Sequence, residues 1–493
     1  MQKKFLPKSI FFLFGTVLSI GLGFLYKDYI IKNFDLSVFG AFSFIISTIS
    51  LISNYTSLGY KDSLIFFIPK YLSLEKPRKI FFHIKNTILI NSIFLLIIFL
   101  CFIIIDEIFL FDSFVYKKFH HYKYYFFIIL LLHSFILIGI EIINGFEKIH
   151  FSVLVEKILK WPIKFSFIII LLNAGYGFKG ILFAEITSSI LVFSFLLLII
   201  YNITRSHDIL TFNKTILSRL EESEKNYIKN IFSNNLLTSF NDYTITLIIL
   251  FYTTYEELGV FSLLSSFAFF ISIILISINS VLKPIISKLY ARKDISAIEK
   301  YFKLSCKLNF LMTVPIFIIM YFFIDYIFIY MNLDISGSKV LFVLLIFGQL
   351  INALKGPVYI TIRMMGYAKE LKYINFFQLI INFVIFNLFI SKYGLTGIGL
   401  SVLFSFIVQA LVGSTFLYLR TKIHMYDKEY LVHVLLSMCS ISILFFTLLI
   451  TNVFDHDYGE LWFLIIGMIV FFLTNFIYLN KKHNMLKFFS MMK

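Results

Sequence analysis

Residues 84–105 read IKNTILINSIFLLIIFLCFIII, 22 positions with a single charged side chain, Lys85, at the second of them. A hydrocarbon core about 30 Å thick is crossed by about 20 apolar residues in a helix, so this stretch reads as a membrane span. Lys76, Arg78 and Lys79 precede it, and Asp106 and Glu107 follow it. The same pattern repeats along the chain. Spans are expected near 9–31, 38–60, 84–105, 124–143, 159–176, 180–201, 228–251, 258–280, 305–330, 338–361, 373–391, 395–419, 430–452 and 461–479.

The loops between these spans set the orientation. With the N-terminus in the cytoplasm, 35 of the 44 Lys and Arg residues fall in inside loops or at inner span ends. The other nine are Lys27, Lys32, Lys117, Lys118, Lys123, Lys179, Lys339, Lys355 and Lys392. The positive-inside rule predicts a bias of this sign, and it places both termini in the cytoplasm. Met1-Gln2-Lys3-Lys4 and the apolar run after it resemble a signal peptide. The run exceeds 20 residues and lacks a small-x-small site, so it reads as a retained first span.

Composition agrees: 59% of residues are hydrophobic and 15% charged, with mean hydropathy +0.89. No soluble domain of 493 residues carries that balance. The net charge of +16 would point to nucleic acid in a soluble protein. Here it reads as topology signals facing anionic lipid, and no nucleic-acid partner is expected.

The loops exclude much chemistry. The longest outside loop is 106–123 and the longest inside connection about 202–227, too short for a folded catalytic domain of at least about 50 residues. There is no Gly-rich Lys-Ser/Thr phosphate loop. Cys101, Cys306 and Cys439 are scattered, and the adjacent His120 and His121 have no further ligand nearby, so neither a disulfide framework nor a metal site is expected. The expectation is a transporter and not an enzyme, with no cofactor.

A shift of 219 residues aligns Gly40-Ala41-Phe42-Ser43 with Gly259-Val260-Phe261-Ser262. The same register pairs Ser47 with Ser266, Ile52 with Ile271, Ser53 with Ser272 and Tyr71 with Tyr290. The second span then matches the eighth in the same orientation, as in parallel repeats related by an axis along the membrane normal. The expected fold is an all-α polytopic membrane protein of about 14 transmembrane helices. Two six-helix lobes in a parallel pseudo-twofold arrangement are followed by two C-terminal helices. The expected divisions are 1–205 for the first lobe, 206–227 for a cytoplasmic linker, 228–424 for the second lobe and 425–493 for the last two helices and tail.

Several segments resemble a known family. Leu36-Ser37-Val38-Phe39-Gly40-Ala41-Phe42-Ser43 is similar to the "leu-gly-pro-glu-glu-phe-gly-leu-tyr-ser" segment of polysaccharide flippases. Phe67-Ile68-Pro69-Lys70-Tyr71 resembles their "phe-x-x-glu-tyr" segment, and the second half repeats the pair with Glu256-Glu257-Leu258-Gly259-Val260-Phe261-Ser262, Pro284 and Tyr290. Lys355-Gly356-Pro357 and Lys392-Tyr393-Gly394-Leu395-Thr396-Gly397-Ile398-Gly399 resemble "ser-gly-pro" and "tyr-gly-leu-x-gly-ala-ala". The family is the O-antigen or capsular polysaccharide flippases, in the superfamily of multidrug extruders and peptidoglycan-precursor flippases. The resemblance implies two six-helix bundles in a V, alternately open to each side. It also implies a polyprenyl-pyrophosphate-linked oligosaccharide as cargo.

Polar residues inside the spans are the candidates for handling such cargo, because an intramembrane charge costs about 2.5–3.5 kcal/mol on insertion scales. Asn235, Ser239, Asp242 and Thr246 form one stripe at helical spacing, and Gly348, Asn352, Lys355, Tyr359 and Arg363 a second. Candidate cargo-binding residues are Lys355, Arg363, Asn352, Tyr359 and Lys27. Candidate coupling-ion residues are Asp242, Glu185 and Asn235. Bland readings stand beside these: Arg363 snorkels to the interface, Lys27 and Asp28 reach headgroups or pair with each other, and Glu185 is a shallow polar residue. Lys355 precedes Gly356-Pro357, where the proline loosens the helix and an ammonium could meet a pyrophosphate. The expected partners are the lipid-linked oligosaccharide, membrane lipid and H⁺ or Na⁺. The protein is expected to be a monomer, with loose association with a glycan polymerase as an option. The alternatives are a cation-coupled multidrug or small-molecule antiporter of the same superfamily and, third, a membrane-embedded glycan polymerase.

Overall fold

The computed structural model describes residues 5–108, 122–206 and 220–424 apart from 147, 332, 334 and 336, together with positions 430, 432 and 435. The expected spans 430–452 and 461–479, the His120-His121 pair, Lys117, Lys118 and Cys439 lie outside the described residues. Everything in regular structure among the described residues is helical. That is the solution lipid imposes on a single chain without a closed barrel, since every backbone N–H and C=O must be satisfied internally.

In chain order the helices are α1 (Phe5–Asn33), α2 (Leu36–Tyr55), α3 (Tyr60–Ser73), α4 (Pro77–Ile108), α5 (Lys123–Gly145) and α6 (Ile149–Val153). A π-helical stretch, Leu154–Leu159, joins α6 to α7 (Lys160–Asn173). Then follow α8 (Gly177–Ser206), α9 (Glu222–Tyr252) and α10 (Tyr255–Ala268). A 3₁₀ turn, Phe269–Ser272, leads into α11 (Ile273–Ala291). The last are α12 (Ile295–Phe322), α13 (Ile324–Met331), α14 (Ser338–Leu354), α15 (Val358–Met364) and α16 (Ala368–Thr421).

Among the described residues, eight stretches are long and apolar enough to cross a membrane, by length and composition. One of them, in α16, contains both expected spans 373–391 and 395–419, and Gly394 (φ 54°, ψ −126°) breaks its helical path between the two. Other boundaries also differ from the hydropathy reading. The expected span 38–60 runs into α3 through a break at Thr56–Gly59, where Leu58 and Gly59 take left-handed φ values of 47° and 83°. Hydropathy marks where a helix is apolar and not where its backbone bends, so this break leaves no trace in it.

The chain divides into two compact units, Phe11–Leu263 and Leu264–Lys493, the second also taking in Met1–Ile10. In the first, α5 packs against α2, α3 and α8, and Leu64, Phe67, Ile68, Ile143, Val192 and Leu196 form its core. In the second, α14 packs against α12 and α16, around Phe302, Leu311, Val358 and Ile362.

The 219-residue repeat has a structural counterpart inside the first unit. α2 and α10 cross where Gly40 faces Gly259: a Cβ on Gly40 would fall 2.8 Å from the Tyr255 carbonyl carbon, closer still to its oxygen. A Cβ on Gly259 would fall 3.3 Å from the Leu36 carbonyl carbon, again closer to the oxygen. Positions 36 and 40 shifted by 219 are 255 and 259, so the contact is reciprocal, as a local twofold requires. Only residues without a side chain let two membrane helices approach this closely.

Candidate functional site

In the first unit the polar groups gather on α1, α7 and α8. The turn at Ala174–Tyr176 folds α8 back along α7. Lys164 lies nine residues before the end of α7 and Glu185 eight after the start of α8, so the two meet at one depth. They form a buried ion pair, each side chain less than a tenth exposed. The Tyr26 hydroxyl donates to Glu185 Oε1 at 3.3 Å. The Lys164 ammonium sits 4.0 Å from the Tyr26 ring centroid and 5.1 Å from that of Trp161. Glu185 thus has a cation and a phenol as partners. Lys27 is half-buried, and its ammonium is near enough to Lys164 for the charges to repel. Asp28, the neighbour expected to reach headgroups or pair with Lys27, is buried and forms an ion pair with Lys32 one turn on, at 3.0 Å.

Three further polar links cross this unit. His133 Nδ1 on α5 lies 2.8 Å from Ser53 Oγ. The Ser53 hydroxyl also lies 3.0 Å from the Ser50 carbonyl. Lys61 Nζ, on α3, donates to Asn54 Oδ1 at 2.8 Å. The Asn235 and Leu236 carbonyls on α9 accept from the Tyr55 hydroxyl at 3.4 and 3.3 Å. Asp242 is on α9, and its side chain lies outside the described residues.

The second unit brings together two of the five cargo-binding candidates, Lys355 and Tyr359, and also holds Asn352 and Arg363. α14 ends at Leu354, Gly356 takes φ +68°, and α15 starts after Pro357. This is the helix break expected from the Lys-Gly-Pro run. Gly356 is required twice over, by its φ and by Cys306, whose Sγ lies 2.5 Å from where a Cβ would sit. Lys355 is buried, donates to Gln409 Oε1 on α16, and lies 5.1 Å from the Tyr359 ring centroid and 5.9 Å from that of Phe406. The Tyr359 hydroxyl is 3.1 Å from the Gln409 carbonyl and 3.4 Å from Gln378 Oε1. Asn352 donates to Ser272 Oγ at 3.2 Å and to Gln349 Oε1 at 3.3 Å. Arg363 is exposed, one turn beyond Tyr359 on α15, where it and Lys283 repel each other.

The sequence does not single out Lys164, His133, Lys61, Gln378 or Gln409. By charge and position Lys164 is one more inner-end lysine. The available signal is its distance from the 174–176 turn, which matches that of Glu185. Gln378 and Gln409 carry no charge and give no signal, although Asn375, Gln378 and Asn382 are all buried and fall on one face of α16 at offsets of three and seven. No group of three or more His, Cys, Asp or Glu that could hold a metal occurs among the described residues.

Known proteins share this architecture. The solved structure of the lipid II flippase MurJ in its inward closed conformation matches with a TM-score of 0.67 and 17% identity, over 96% of this chain and 99% of that one. An outward-facing multidrug resistance MATE family transporter of the MOP superfamily matches at 0.64 and 12%, over 84% and 95%. The Vibrio cholerae MATE transporter VcmN in the bent form matches at 0.60 and 15%, over 85% and 96%. No curated protein matches. The MatE family profile matches residues 230–388, and that described as "Polysaccharide biosynthesis protein" matches residues 5–290, more than half of the chain. The fold is therefore that of the MATE transporters and MurJ, and the chain is a multi-pass membrane protein that belongs to the polysaccharide biosynthesis protein family.

Proposed function

We propose that the protein is a flippase that moves a polyprenyl-pyrophosphate-linked oligosaccharide from the cytoplasmic to the outer leaflet of the cell membrane by alternating access. The observation that carries this reading is the buried Lys355 at a broken helix, surrounded by amide and phenol groups. One ammonium suits a single anionic group, and the side chains of Asn352, Gln378, Gln409 and Tyr359 suit hydroxyl-rich sugar. Membership of a polysaccharide biosynthesis family supports the choice of cargo, and the fold shared with a lipid II flippase supports the mode of transport. Lys27 and Arg363 would extend the cationic path, and both termini would lie in the cytoplasm. Asp242, Glu185 and Asn235 are the groups through which H⁺ or Na⁺ would drive the cycle. A neutral Asp242→Asn should then bind cargo and lose its dependence on the ion gradient.

Cation-coupled export of small molecules is the second reading. The MatE match over 230–388 and the likeness to multidrug transporters favour it. Reconstituted liposomes separate the two. Under the first reading, purified protein translocates a fluorescent polyprenyl-pyrophosphate oligosaccharide, Lys355→Ala abolishes this, and Lys355→Arg retains part of it, because a guanidinium keeps the charge with a different shape. Normal translocation by Lys355→Ala would remove this residue from the binding site. Gradient-driven efflux of a cationic dye without glycolipid translocation would establish the second reading.

A further inference from the structure

α9 runs antiparallel along α2 and α3, and its contacts climb in register. Glu224 meets Tyr71, Tyr227 stacks on Phe66 at 4.4 Å, and Phe232 and Ile228 press on Gly59. Asn235 and Leu236 then meet Tyr55, and the Tyr243 hydroxyl donates to Ser50 at 2.8 Å. The two ends of this seam are chemically different. Beyond one end, α2 and α10 meet backbone to backbone at Gly40 and Gly259, without side chains between them. The other end is closed by charge.

At that charged end Glu224 is only 2% exposed. Its carboxylate accepts from the Tyr71 hydroxyl and from the Glu221 backbone N–H at 2.8 Å, faces His83 Nε2 at 3.4 Å, and lies 3.7 Å from Lys79 Nζ. Lys79 also pairs with Glu221. The receiving surface is a stack in which the Phe67 ring lies 4.4 Å from that of His83 and 6.0 Å from that of Tyr71. Lys70 and Lys79 flank Tyr71, their ammoniums 5.5 and 5.0 Å from its ring.

Two further observations indicate that this contact can part. The buried Glu224 carboxylate meets a lysine whose side chain is still 27% exposed; such a pair contributes little net stability, and the best-attested use of a charge held in this way is to set a register or a switch. A contact needed only for permanence would be apolar. The helix break at Leu58–Gly59 also lies between the charged end and the glycine crossing, with both residues in left-handed backbone. A break of that kind absorbs the dihedral change of a hinge. A hinge there would let α3 swing away from the start of α9 while the α2–α10 crossing stays closed.

We propose that Glu224 is the bolt of a releasable latch whose receiver is Tyr71, His83 and Lys79, and that its release opens the cytoplasmic end of the α2–α3/α9 seam. This rests on the alternating-access reading above, but the latch can be tested without cargo. Spin labels go on Lys70→Cys and Lys225→Cys, both exposed positions flanking the latch, in a chain whose three native cysteines are serine. Pulsed EPR then gives the ratio of short (latched) to long (parted) distances. Glu224→Gln should lower that ratio about tenfold, the order expected for losing one charge-assisted hydrogen bond. Tyr71→Phe keeps the ring stack, removes only a hydroxyl, and should shift the ratio in the same direction. Should Glu224→Gln fail to give monodisperse protein, Tyr71→Phe decides. Wild-type distances in both variants, or in Tyr71→Phe alone, overturn the latch. Shifted distances in a protein that moves no glycolipid support the latch and place the failure in the cargo reading.

Discussion

Gly40→Ala should push apart the two helices that cross at Gly40 and Gly259. The new methyl would fall 2.8 Å from both the Tyr255 carbonyl carbon and the Gly259 nitrogen. Non-bonded carbons rest about 3.5–4.0 Å apart, and the Tyr255 oxygen is nearer than its carbon, so the backbones must separate by more than about 1 Å. No rotamer change relieves the clash, because the opposing atoms are main chain. Overpacking of this kind costs about 1–3 kcal/mol, and the better helix propensity of alanine returns up to about 1 kcal/mol. A net loss of about 1–2 kcal/mol is expected. Gly259→Ala also meets the Leu36 carbonyl oxygen, but its next contacts, a nitrogen at 3.2 Å and the carbonyl carbon at 3.3 Å, are longer than those at Gly40, so its loss should be smaller. Gly21, on α1, has nothing within 4 Å of the point where a Cβ would sit, and Gly21→Ala should be neutral or slightly stabilising. Thermal unfolding midpoints of the purified protein in one detergent should rank Gly40→Ala lowest, then Gly259→Ala, then Gly21→Ala. If Gly40→Ala unfolds at the same temperature as Gly21→Ala, the close-crossing argument is wrong.

The buried Lys164–Glu185 pair predicts a loss of about 3–5 kcal/mol for Lys164→Met, because the carboxylate is left buried without its cation. Adding Glu185→Gln should recover most of it in the same unfolding assay. Burial alone would raise the Glu224 carboxyl, but hydrogen bonds from Tyr71 and the Glu221 backbone, with the charges of His83 and Lys79, hold it below the ordinary value of 4.5. Its contribution is therefore present at neutral pH and lost as pH falls below about 4.5. Tyr71 is pushed up to about 12, first by burial and then by Glu224. Its contribution is present below about pH 10 and lost as pH rises through 12. Unfolding midpoints measured from pH 9 to 12 should show that alkaline loss in the wild type, and Tyr71→Phe should lack it. For topology, reporters fused after Glu75 or Tyr201 should read cytoplasm and those after Asp35 or Gly177 the outside; reversed signals at two or more of these sites would overturn the orientation.

The sequence alone determined the class, an all-helical multi-pass membrane protein, and located most of its apolar stretches. Hydropathy and loop charge are local sums over neighbouring residues, and the insertion energetics they report act on each segment before it packs. The Lys355-Gly356-Pro357 break was legible for the same reason, since proline and glycine act on their own backbone. The 219-residue register was legible as Gly40 and Gly259, but only the fold shows these two glycines touching. Partners were decided by tertiary structure. Lys164 reads as an inner-end topology signal until α8 folds back along α7 and brings Glu185 to the same depth. Glu224 reads as a helix-capping acid in a hydrophilic stretch, and it is that, within a capping box with Glu221. Its burial beneath Tyr71 and His83 joins residues about 150 positions apart. Gln409 carries no charge and breaks no pattern, and it becomes visible only when α16 packs on α14 and sets its amide on Lys355. Electrostatic pairing depends on distance in space, and in an all-helical membrane protein that distance is set by which helix faces meet.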